Sequence, residues 1–285
     1  MAVELAPITS ADVPAVSRFM RANLNRRVSE AAWSHALNVP WSVASPNHGY
    51  FLRDDGRVVG AYLAYYADRE VAGAPARFCN LGAWCVLESH RFQGLRLLTS
   101  LLAQPGYHFT DFSPSGNVVE LNRRLKFSEL DTTTAIVPNL PYAPSSRSCR
   151  ISSDPAVLSA TVSGPDEQIY SDHRNAAAAK HVVLTSGSDS CYVLFRKDTR
   201  KHLRVFASIL HVGNPEMFRC LAGRLGSHLL MRHGAVATLV ELRVTGGPPA
   251  GSFTLSRSRP KMFKSPSLGP DQIDYLYSEL TCLEW

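Results

Sequence analysis

The sequence predicts an α/β (α+β) fold of two similar domains, each a mixed, mostly antiparallel sheet flanked by helices. Three observations predict it. The 285 residues suffice for two domains of about 140 residues each. A proline- and serine-rich stretch at 138–148 interrupts every periodic pattern around it. The elements on its two sides follow a similar order, which indicates duplication. We therefore expect domains at 1–137 and 151–285, with a linker at 138–150.

The first half shows its elements in a clear order. A helix is expected after the cap signal Thr9–Asp12, and a hairpin at Phe51–Tyr65, where Asp-Asp-Gly separates two apolar runs. A third strand is expected at 81–87, followed by a loop at 91–94. Leucines at helical spacing follow it. A strand at 107–112 and a helix at 118–125 complete the half.

The second half repeats this order loosely. Apolar runs at 191–196 and 203–212 predict a hairpin, 215–231 predicts a helix and 236–242 a strand. The alternating residues at 275–285 are interpreted as a final strand. The half is therefore predicted to be a diverged copy of the first.

The composition excludes several classes of protein. Apolar residues make up 45% of the chain and charged residues 19%, so the chain can bury full cores and does not have a disordered composition. The first residues hold no basic segment followed by an apolar run. No apolar stretch approaches the roughly 18 residues that span a bilayer. We expect a cytoplasmic protein that binds no membrane. The six cysteines lack paired spacing, which predicts buried thiols and no metal site.

The net charge of +6 is unevenly distributed. Lys and Arg number 13 against 12 Asp and Glu up to Tyr142, and 17 against 12 after it. This mild basicity suits an anionic ligand such as a phosphorylated cofactor. It is too weak and too dispersed to predict a nucleic-acid partner.

The most informative segment runs from Val86 to Leu98. A strand ends there, the chain turns at Gly94 and a helix begins, so backbone N–H groups and the positive end of the helix dipole would face one point. Gly94 would let the backbone approach an anion closely. Arg91 and Arg96 could add charge-assisted hydrogen bonds. These residues alone predict an anion at a helix start, or a strand–loop–helix unit that binds nothing.

The segment resembles the acyl-CoA-binding loop of N-acyltransferases of the GNAT superfamily, which reads Arg/Gln-x-x-Gly-x-Gly/Ala. Arg91 and Gly94 fit this pattern, whereas Arg96 stands where a small residue is usual. The resemblance covers roughly residues 3–137 and includes the hairpin at 51–65. It implies a tandem arrangement with a diverged C-terminal copy.

A second part of the resemblance lies at 117–127. Asn117 and Phe127 match residues that the family has there, while Asn122 replaces a tyrosine and Lys126 a glycine. The tyrosine usually protonates the departing CoA thiolate. Because a free thiol has a pKa near 8.5, the thiolate can leave without this acid, or this copy could bind only.

The resemblance implies a binding site for acetyl-CoA or another acyl-CoA as co-substrate. The residues that would contact it are Cys85, Val86, Leu87, Arg91, Phe92, Gln93, Gly94, Leu95, Arg96 and Asn117. Backbone N–H groups at 85–87 would stabilise the oxyanion, and a carboxylate would take the amine proton. The catalytic candidates are Glu88, Asp111 and Ser113. Glu88 could equally be a solvated loop acid, and Asp111 could cap the helix at Asn117.

The sequence therefore predicts an N-acyltransferase that moves an acetyl or short acyl group to a primary amine. The acceptor would be a small molecule such as an amino sugar or an amine metabolite. Two alternatives stay open: a Fem-type transferase that uses aminoacyl-tRNA, and a non-catalytic module that binds CoA or a partner. In the second half, Pro215 and Glu216 stand at the equivalent helix start, so no CoA is expected there. The oligomeric state is not predicted.

Overall fold

The computed structural model describes residues 3–141, 149–200, 203–255 and 258–284. The chain forms two compact units. The first comprises Met1–Leu130, Pro260–Ile273 and Tyr277–Trp285, and the second comprises Asp131–Arg259 and Asp274–Leu276.

Strands and helices are numbered along the chain. The strands are β1 (Glu4–Pro7), β2 (Gly49–Asp54), β3 (Arg57–Val71), β4 (Ala74–Val86), β5 (Tyr107–Asp111), β6 (Ser128–Glu129), β7 (Thr134–Pro138), β8 (Cys149–Ser152), β9 (Lys180–Ser186), β10 (Asp189–Arg200), β11 (Leu203–Val212), β12 (Ala237–Glu241), β13 (Phe253–Thr254) and β14 (Met262–Lys264). The α-helices are α1 (Val13–Asn23), α2 (Glu30–Leu37), α3 (Gly94–Leu102), α4 (Asn117–Arg124), α5 (Pro155–Thr161), α6 (Pro165–His173), α7 (Pro215–His233), α8 (Leu242–Thr245) and α9 (Glu279–Cys282). Glu88–Gln93 and Pro270–Gln272 form 3-10 helices.

The two sheets have the same architecture. The described residues give the first sheet the order β1-β2-β3-β4-β5-β14-β6 and the second the order β8-β9-β10-β11-β12-β7-β13. In each sheet the pair formed by the fourth and fifth strands is parallel, β4 with β5 and β11 with β12, and the other pairs are antiparallel. This confirms the predicted fold class of two similar α/β units.

Local sequence signals account for the elements that were predicted correctly. The β2–β3 hairpin turns at Asp55 and Gly56, which both have positive φ (47° and 77°), as a two-residue type I′ turn requires. In α3 the leucines at 97, 98 and 101 are buried against the first sheet, which explains the helical spacing of that run. The helix predicted at 215–231 is α7.

The compact units do not follow the predicted boundaries at 137 and 151. β7, at 134–138, pairs with β12 and β13 in the second sheet. β14, at 262–264, pairs with β5 and β6 in the first sheet. Each sheet thus takes its sixth strand from the opposite half of the sequence. Most of the predicted linker, residues 142–148, lies outside the described residues.

The strand predicted at 275–285 is wrong. Its described residues form a loop and the short helix α9, and residues 277 onward belong to the first unit. The alternating pattern reflects burial without strand pairing, because Tyr275 and Leu276 are buried in this loop. The sequence analysis also missed the edge strand β1 and the helix α2.

Lys126 occupies a conformation that glycine favours. Its φ is 64°, its N–H donates to the Arg123 carbonyl at 2.9 Å, and the Phe127 N–H donates to the Asn122 carbonyl at 3.0 Å. These two bonds make a Schellman motif with Lys126 as the left-handed residue. The backbone at position 126 therefore has the left-handed conformation that glycine adopts most easily, although Lys126 stands where the GNAT pattern has a glycine.

We expect Lys126→Gly to raise the free energy of unfolding by about 1 kcal/mol, because an exposed non-glycine residue in the left-handed region carries a steric cost. Urea unfolding at 25 °C measures it. Lys126→Ala is the matched control, since alanine loses the side chain but keeps the steric cost. Equal stability of the glycine and alanine variants would contradict the prediction.

Candidate functional site

The first sheet opens between β4 and β5. These parallel strands pair from Arg77–Tyr107 to Asn80–Thr110 and no further. Beyond that point β5 stays paired with β14. β4 continues to Val86, and over this stretch it is paired with β3 along one edge. The β4 edge that faces β5 is therefore not paired with a strand over 81–86 in the described residues, and it offers backbone groups to a ligand.

A β-bulge bends β4 at this opening. Tyr62 pairs with Trp84 and Leu63 with Gly82, so Ala83 is the extra residue, with φ at 64°. A bulge re-aims the side chains that follow it. Here it is followed by Trp84, whose ring stacks on Tyr62 at 4.8 Å.

Asn80 fixes the point where the strands separate. Its Nδ2 donates to Thr110 Oγ1 at 3.1 Å, and its Oδ1 accepts the Glu279 N–H at 2.9 Å. A Cβ at Gly82 would lie 2.7 Å from the Glu279 Cβ, so only glycine permits this approach. The start of α9 is thus held against β4 at the opening.

Two buried carboxylates meet at this point. Ser113 Oγ donates to Glu279 Oε1 at 2.9 Å, and the Ser113 N–H donates to Asp111 Oδ1 at 3.3 Å. Asn122 Nδ2 donates to Asp111 Oδ2 at 2.9 Å. Asp111 is 3% exposed and Glu279 0%, whereas Ser113 is exposed. We call Asp111, Ser113, Asn122 and Glu279 the carboxylate cluster. Ser113 links its buried acids to solvent.

The electrostatics of the cluster favour protonation. Burial, and then the charge of Glu279, raise the pKa of Asp111 from 3.8 to about 7, and the bonds from Asn122 and Ser113 oppose this only in part. Burial, and then the charges of Asp111 and Glu279, raise the pKa of Tyr62 well above its usual value. The Tyr62 phenol therefore stays protonated beside the cluster, and Asp111 exchanges its proton near neutral pH.

A cleft of about 450 Å³ lies beside the opening. It is lined by Trp84 from β4 and by Asn117, Val118, Glu120, Leu121 and Arg124 from α4. Trp84 Nε1 is buried with no hydrogen-bond partner among the described residues. An unsatisfied buried donor of this kind is uncommon. Asn117, predicted to contact a cofactor, lines this cleft.

The predicted phosphate loop has a different form. Residues 88–93 are a 3-10 helix that leads into α3, and the Gly94 N–H donates to the Arg91 carbonyl. Arg96 donates to Gln93 Oε1 at 2.8 Å and to the Val3 carbonyl at 3.1 Å. The expectation of open N–H groups converging on one point is therefore wrong at Gly94, because the 3-10 turn uses that donor. Phe92 and Leu95 are exposed.

Glu88 does not belong to the carboxylate cluster. Its carboxylate pairs with Arg91 Nη2 at 2.5 Å, and both side chains are about three-quarters exposed. Of the two interpretations of Glu88 that the sequence left open, the solvated loop acid fits this geometry. Asp111 is not a cap for α4 either, since no side chain caps that helix.

The three backbone N–H groups at 85–87, predicted to face the ligand, do not all face the opening. The Leu87 N–H donates to the Val59 carbonyl at 2.9 Å, so it faces β3. Because successive residues of a strand turn their N–H groups to opposite edges, Cys85 faces β3 as well and Val86 faces the opening. Of the three predicted donors, Val86 is the one available to a ligand. The Cys85 thiol is half-buried, which raises its pKa to about 11 and keeps it neutral.

The sequence analysis missed Glu279, Tyr62 and Trp84. Glu279 lies 199 positions from Asn80 in the chain, and no sequence signal marked it. The Tyr62–Trp84 stack depends on the bulge at Ala83. Because each aromatic residue lies in an apolar strand, Tyr62 in β3 and Trp84 in β4, the sequence pattern indicated core and gave no functional signal.

The equivalent helix start in the second unit is closed by its own side chains. Asn214 Oδ1 caps α7 by accepting the Met217 N–H at 3.0 Å. Asp166 lies so close to Gly213 that a Cβ there would meet its carboxylate at 1.8 Å. A negative charge at this position disfavours a phosphate, which supports the prediction that CoA does not bind there.

Two units, each with a parallel strand pair that separates beside a helix start, give the chain a fold similar to that of tandem GNAT proteins. The chain is similar to a tandem GNAT protein from the clavulanic acid biosynthesis pathway, with 13% identity and a TM-score of 0.52 over 93% of this chain and 100% of that one. A probable N-acyltransferase from Enterococcus faecalis is 12% identical, with a TM-score of 0.60 over 92% and 72%. A putative acetyltransferase from Pyrococcus horikoshii is 10% identical, with a TM-score of 0.55 over 98% and 95%.

At these identities the similarity shows the fold. No protein-family model matches the chain, and no curated protein matches it in sequence. Within the described residues, no three His, Cys, Asp or Glu side chains are grouped to hold a metal ion. The helices described are all too short or too polar to cross a membrane.

The raised pKa of Asp111 predicts how stability depends on pH. An acid whose pKa rises on folding holds its proton more tightly in the folded protein, so stability falls as pH rises from about 4 through about 7. We expect Asp111→Asn to stabilise the protein by about 1–3 kcal/mol at pH 8 and to have little effect at pH 4. Urea unfolding at both pH values measures this. The exposed Asp68→Asn serves as the control, and an Asp111→Asn effect that does not grow with pH would contradict the assignment.

Proposed function

We propose that the first unit transfers an acetyl or short acyl group from acyl-CoA to the primary amine of a small acceptor, such as an amino sugar or an amine metabolite. One observation carries the proposal: two buried carboxylates, joined through Ser113, lie where β4 and β5 separate. The opening gives a thioester access to backbone donors and places an acid–base pair beside it.

The β4 edge and the adjacent cleft suit acyl-CoA. The Val86 N–H faces the opening and can donate to the thioester carbonyl as charge develops on its oxygen. The Trp84 side chain lines the adjacent cleft. Arg91 forms an ion pair with Glu88, and both side chains are exposed. Exposed ion pairs of this kind stabilise a protein by less than about 1 kcal/mol. A pyrophosphate could therefore displace Glu88 from Arg91 at little cost.

The carboxylate cluster accounts for proton transfer. A protonated amine is attracted to the two acids and loses its proton to one of them. The neutral nitrogen then attacks the carbonyl carbon and the C–N bond forms. The nitrogen, now positively charged, loses its second proton to solvent water as the C–S bond breaks. The Ser113 hydroxyl is exposed and bonded to Glu279, so it can exchange a proton between Glu279 and solvent, whereas Asp111 is bonded by the Ser113 backbone N–H. The thiolate leaves with its electron pair and takes a proton from water, consistent with Asn122 in place of the usual acid.

Asn122 has a different role from the tyrosine that it replaces. It is fully buried and donates to Asp111, and this bond lowers the pKa of Asp111 towards neutrality. Asn122 is thus a positioning residue for the base and not a donor to the leaving group.

The non-catalytic alternative is favoured by one observation, the 3-10 helix that uses the Gly94 N–H. A module of this kind would bind CoA or a partner without turnover. Release of free thiol from acetyl-CoA in the presence of an amine panel separates the two functions. Binding without any thiol release would favour the module.

We expect Gly94→Glu to weaken acetyl-CoA binding at least about tenfold, because a negative charge at the start of α3 opposes the pyrophosphate. Isothermal titration calorimetry measures the affinity. Ala103→Glu places the same charge at the other end of the same helix and should leave the affinity unchanged. No acetyl-CoA binding by the unaltered protein, or equal binding by both variants, would remove the proposal.

We expect Asp111→Asn and Glu279→Gln each to lower kcat by roughly 10²-fold, as loss of general base catalysis predicts, with little change in KM for acetyl-CoA. In the unaltered protein kcat should rise with pH through about 7, the pKa of Asp111. Thiol release between pH 5.5 and 9 measures both. A pH-independent kcat, or variants as active as Asp68→Asn, would exclude these carboxylates as bases.

A further inference from the structure

A serine, a histidine and an aspartate form a hydrogen-bonded chain beside the β2–β3 hairpin. Ser89 Oγ lies 2.8 Å from His90 Nδ1, and His90 Nε2 lies 3.0 Å from Asp54 Oδ2. Ser89 and His90 belong to the 3-10 helix at 88–93, whereas Asp54 is the last residue of β2. We call these three residues the Ser89 triad. The carboxylate cluster and the proposed acyl transfer use none of them.

The carboxylate of Asp54 fixes which ring nitrogen of His90 carries the hydrogen. An ionised carboxylate only accepts hydrogen bonds, so Nε2 donates its N–H to Asp54. In the neutral imidazole the other nitrogen, Nδ1, then has a lone pair, and it accepts the hydroxyl hydrogen of Ser89. The hydrogen bonds therefore run from serine to histidine to aspartate, which is the direction that general base activation of a serine requires.

The three side chains differ in their exposure to solvent. Ser89 is exposed, whereas the side chains of His90 and Asp54 are 17% and 31% exposed. The imidazole is thus held between two partners, while the serine oxygen stays accessible. Within the part of the chain that the structure describes, Ser89 Oγ has no hydrogen-bond partner besides His90, so its lone pairs are open to an electrophile.

Two other serine–histidine contacts show what the Ser89 triad adds. Ser10 Oγ lies 3.4 Å from His48 Nε2, but no carboxylate bonds His48 among the described residues. Ser265 Oγ lies 2.8 Å from His108 Nδ1, but this oxygen already accepts two backbone N–H groups. Ser89 differs from both serines, because its oxygen is open and the second nitrogen of its base is held by an acid.

We propose that Ser89 is a nucleophile, activated by His90 and Asp54, that accepts the acyl group of an activated carboxylic ester. Ser89 Oγ attacks the carbonyl carbon while its proton passes to His90 Nδ1, and Asp54 stabilises the imidazolium. The C–O bond to the leaving group then breaks, and the leaving oxygen takes the electron pair of that bond and the proton from His90. Solvent water hydrogen-bonds the carbonyl oxygen during the attack, since Ser89 is exposed. The product is an O-acylserine.

The site stands independently of the proposed transfer to an amine, and labelling of the full chain with diisopropyl fluorophosphate tests its nucleophile. The P–O bond to serine forms, and fluoride leaves with the electron pair of the P–F bond. Mass spectrometry of the peptides measures the rate at each serine. We expect Ser89 to react at least about tenfold faster than Ser10 in the same molecule, because a positioned base removes its proton. Equal rates at the two serines would overturn the proposal.

Variants assign the base. His90→Gln should slow the labelling of Ser89 at least about tenfold, because it removes the group that takes the proton. His48→Gln alters the serine–histidine contact that lacks a carboxylate, and as the matched control it should leave the rate at Ser89 unchanged. A rate at Ser89 that survives His90→Gln would overturn the proposal.

The ester assignment has its own probe, p-nitrophenyl acetate. We expect release of nitrophenolate together with an acetyl group on Ser89, found by mass spectrometry, and loss of that acetyl group in Ser89→Ala. Labelling of Ser89 by the fluorophosphate without acetylation by the ester would overturn the assignment to carboxylic esters.

Asp54 is a positioning residue, and nuclear magnetic resonance of ¹⁵N-labelled histidine reports its role. In the neutral ring of His90 we expect hydrogen on Nε2 and the signal of an unprotonated nitrogen at Nδ1. Asp54→Asn should weaken this preference and slow the labelling of Ser89, whereas Asp55→Asn, which alters the adjacent acid in the exposed turn, should change neither. Hydrogen on Nδ1 in the unaltered protein would overturn the proposal, and this measurement does not depend on the folding of any variant.

Discussion

The candidate site depends on the separation of β4 from β5 after the Asn80–Thr110 pair. Strands that stay paired offer no backbone groups to a ligand, whereas a strand edge left open offers them in a fixed row. The side chain of Asn80 bonds Thr110 on one side and the backbone of Glu279 on the other, so one amide holds both the strand pair and the segment beside it. The bulge at Ala83 then turns Trp84 towards the cleft. Loss of this separation would close both the open β4 edge and the route to the carboxylates, on which the proposed acyl transfer depends.

The second constraint is the exchange of strands between the halves of the sequence. β14 completes the first sheet beside β5, and the chain that follows it brings Glu279 against Gly82. A carboxylate is costly to bury unless it is hydrogen-bonded, and Ser113 supplies such a bond to Glu279. The same burial raises the pKa of Asp111 to about 7, so the arrangement that weakens the fold at high pH gives the site a base that works near neutral pH.

Elements with local signals could be predicted, and those that depend on distant pairing could not. The Asp-Gly turn at 55–56 fixes the turn of the β2–β3 hairpin, although β3 runs past the predicted end at Tyr65 to Val71, and the leucine spacing of α3 fixes its buried face. Asp111 and Ser113 could be placed at the end of a strand because the strand at 107–112 has a local signal, and their catalytic role stays a prediction. The exchange of β7 and β14 leaves no local signal, since an antiparallel strand has the same pattern in either sheet. Glu279 was missed for the same reason. The segment at 91–94 was predicted as a loop, whereas residues 88–93 form a 3-10 helix, because sequence patterns do not distinguish a loop from a 3-10 turn.

In the proposed function, the opening between β4 and β5 holds the acyl thioester beside Asp111 and Glu279. A crystal structure of the protein with a non-hydrolysable acetyl-CoA analogue tests it most directly. The account predicts the acyl carbonyl within hydrogen-bonding distance of the Val86 N–H, the pantetheine arm along the β4 edge near Trp84, and both carboxylates facing the acyl carbon. An analogue bound elsewhere on the chain, or an acyl group on the side of β4 away from the carboxylate cluster, would contradict it.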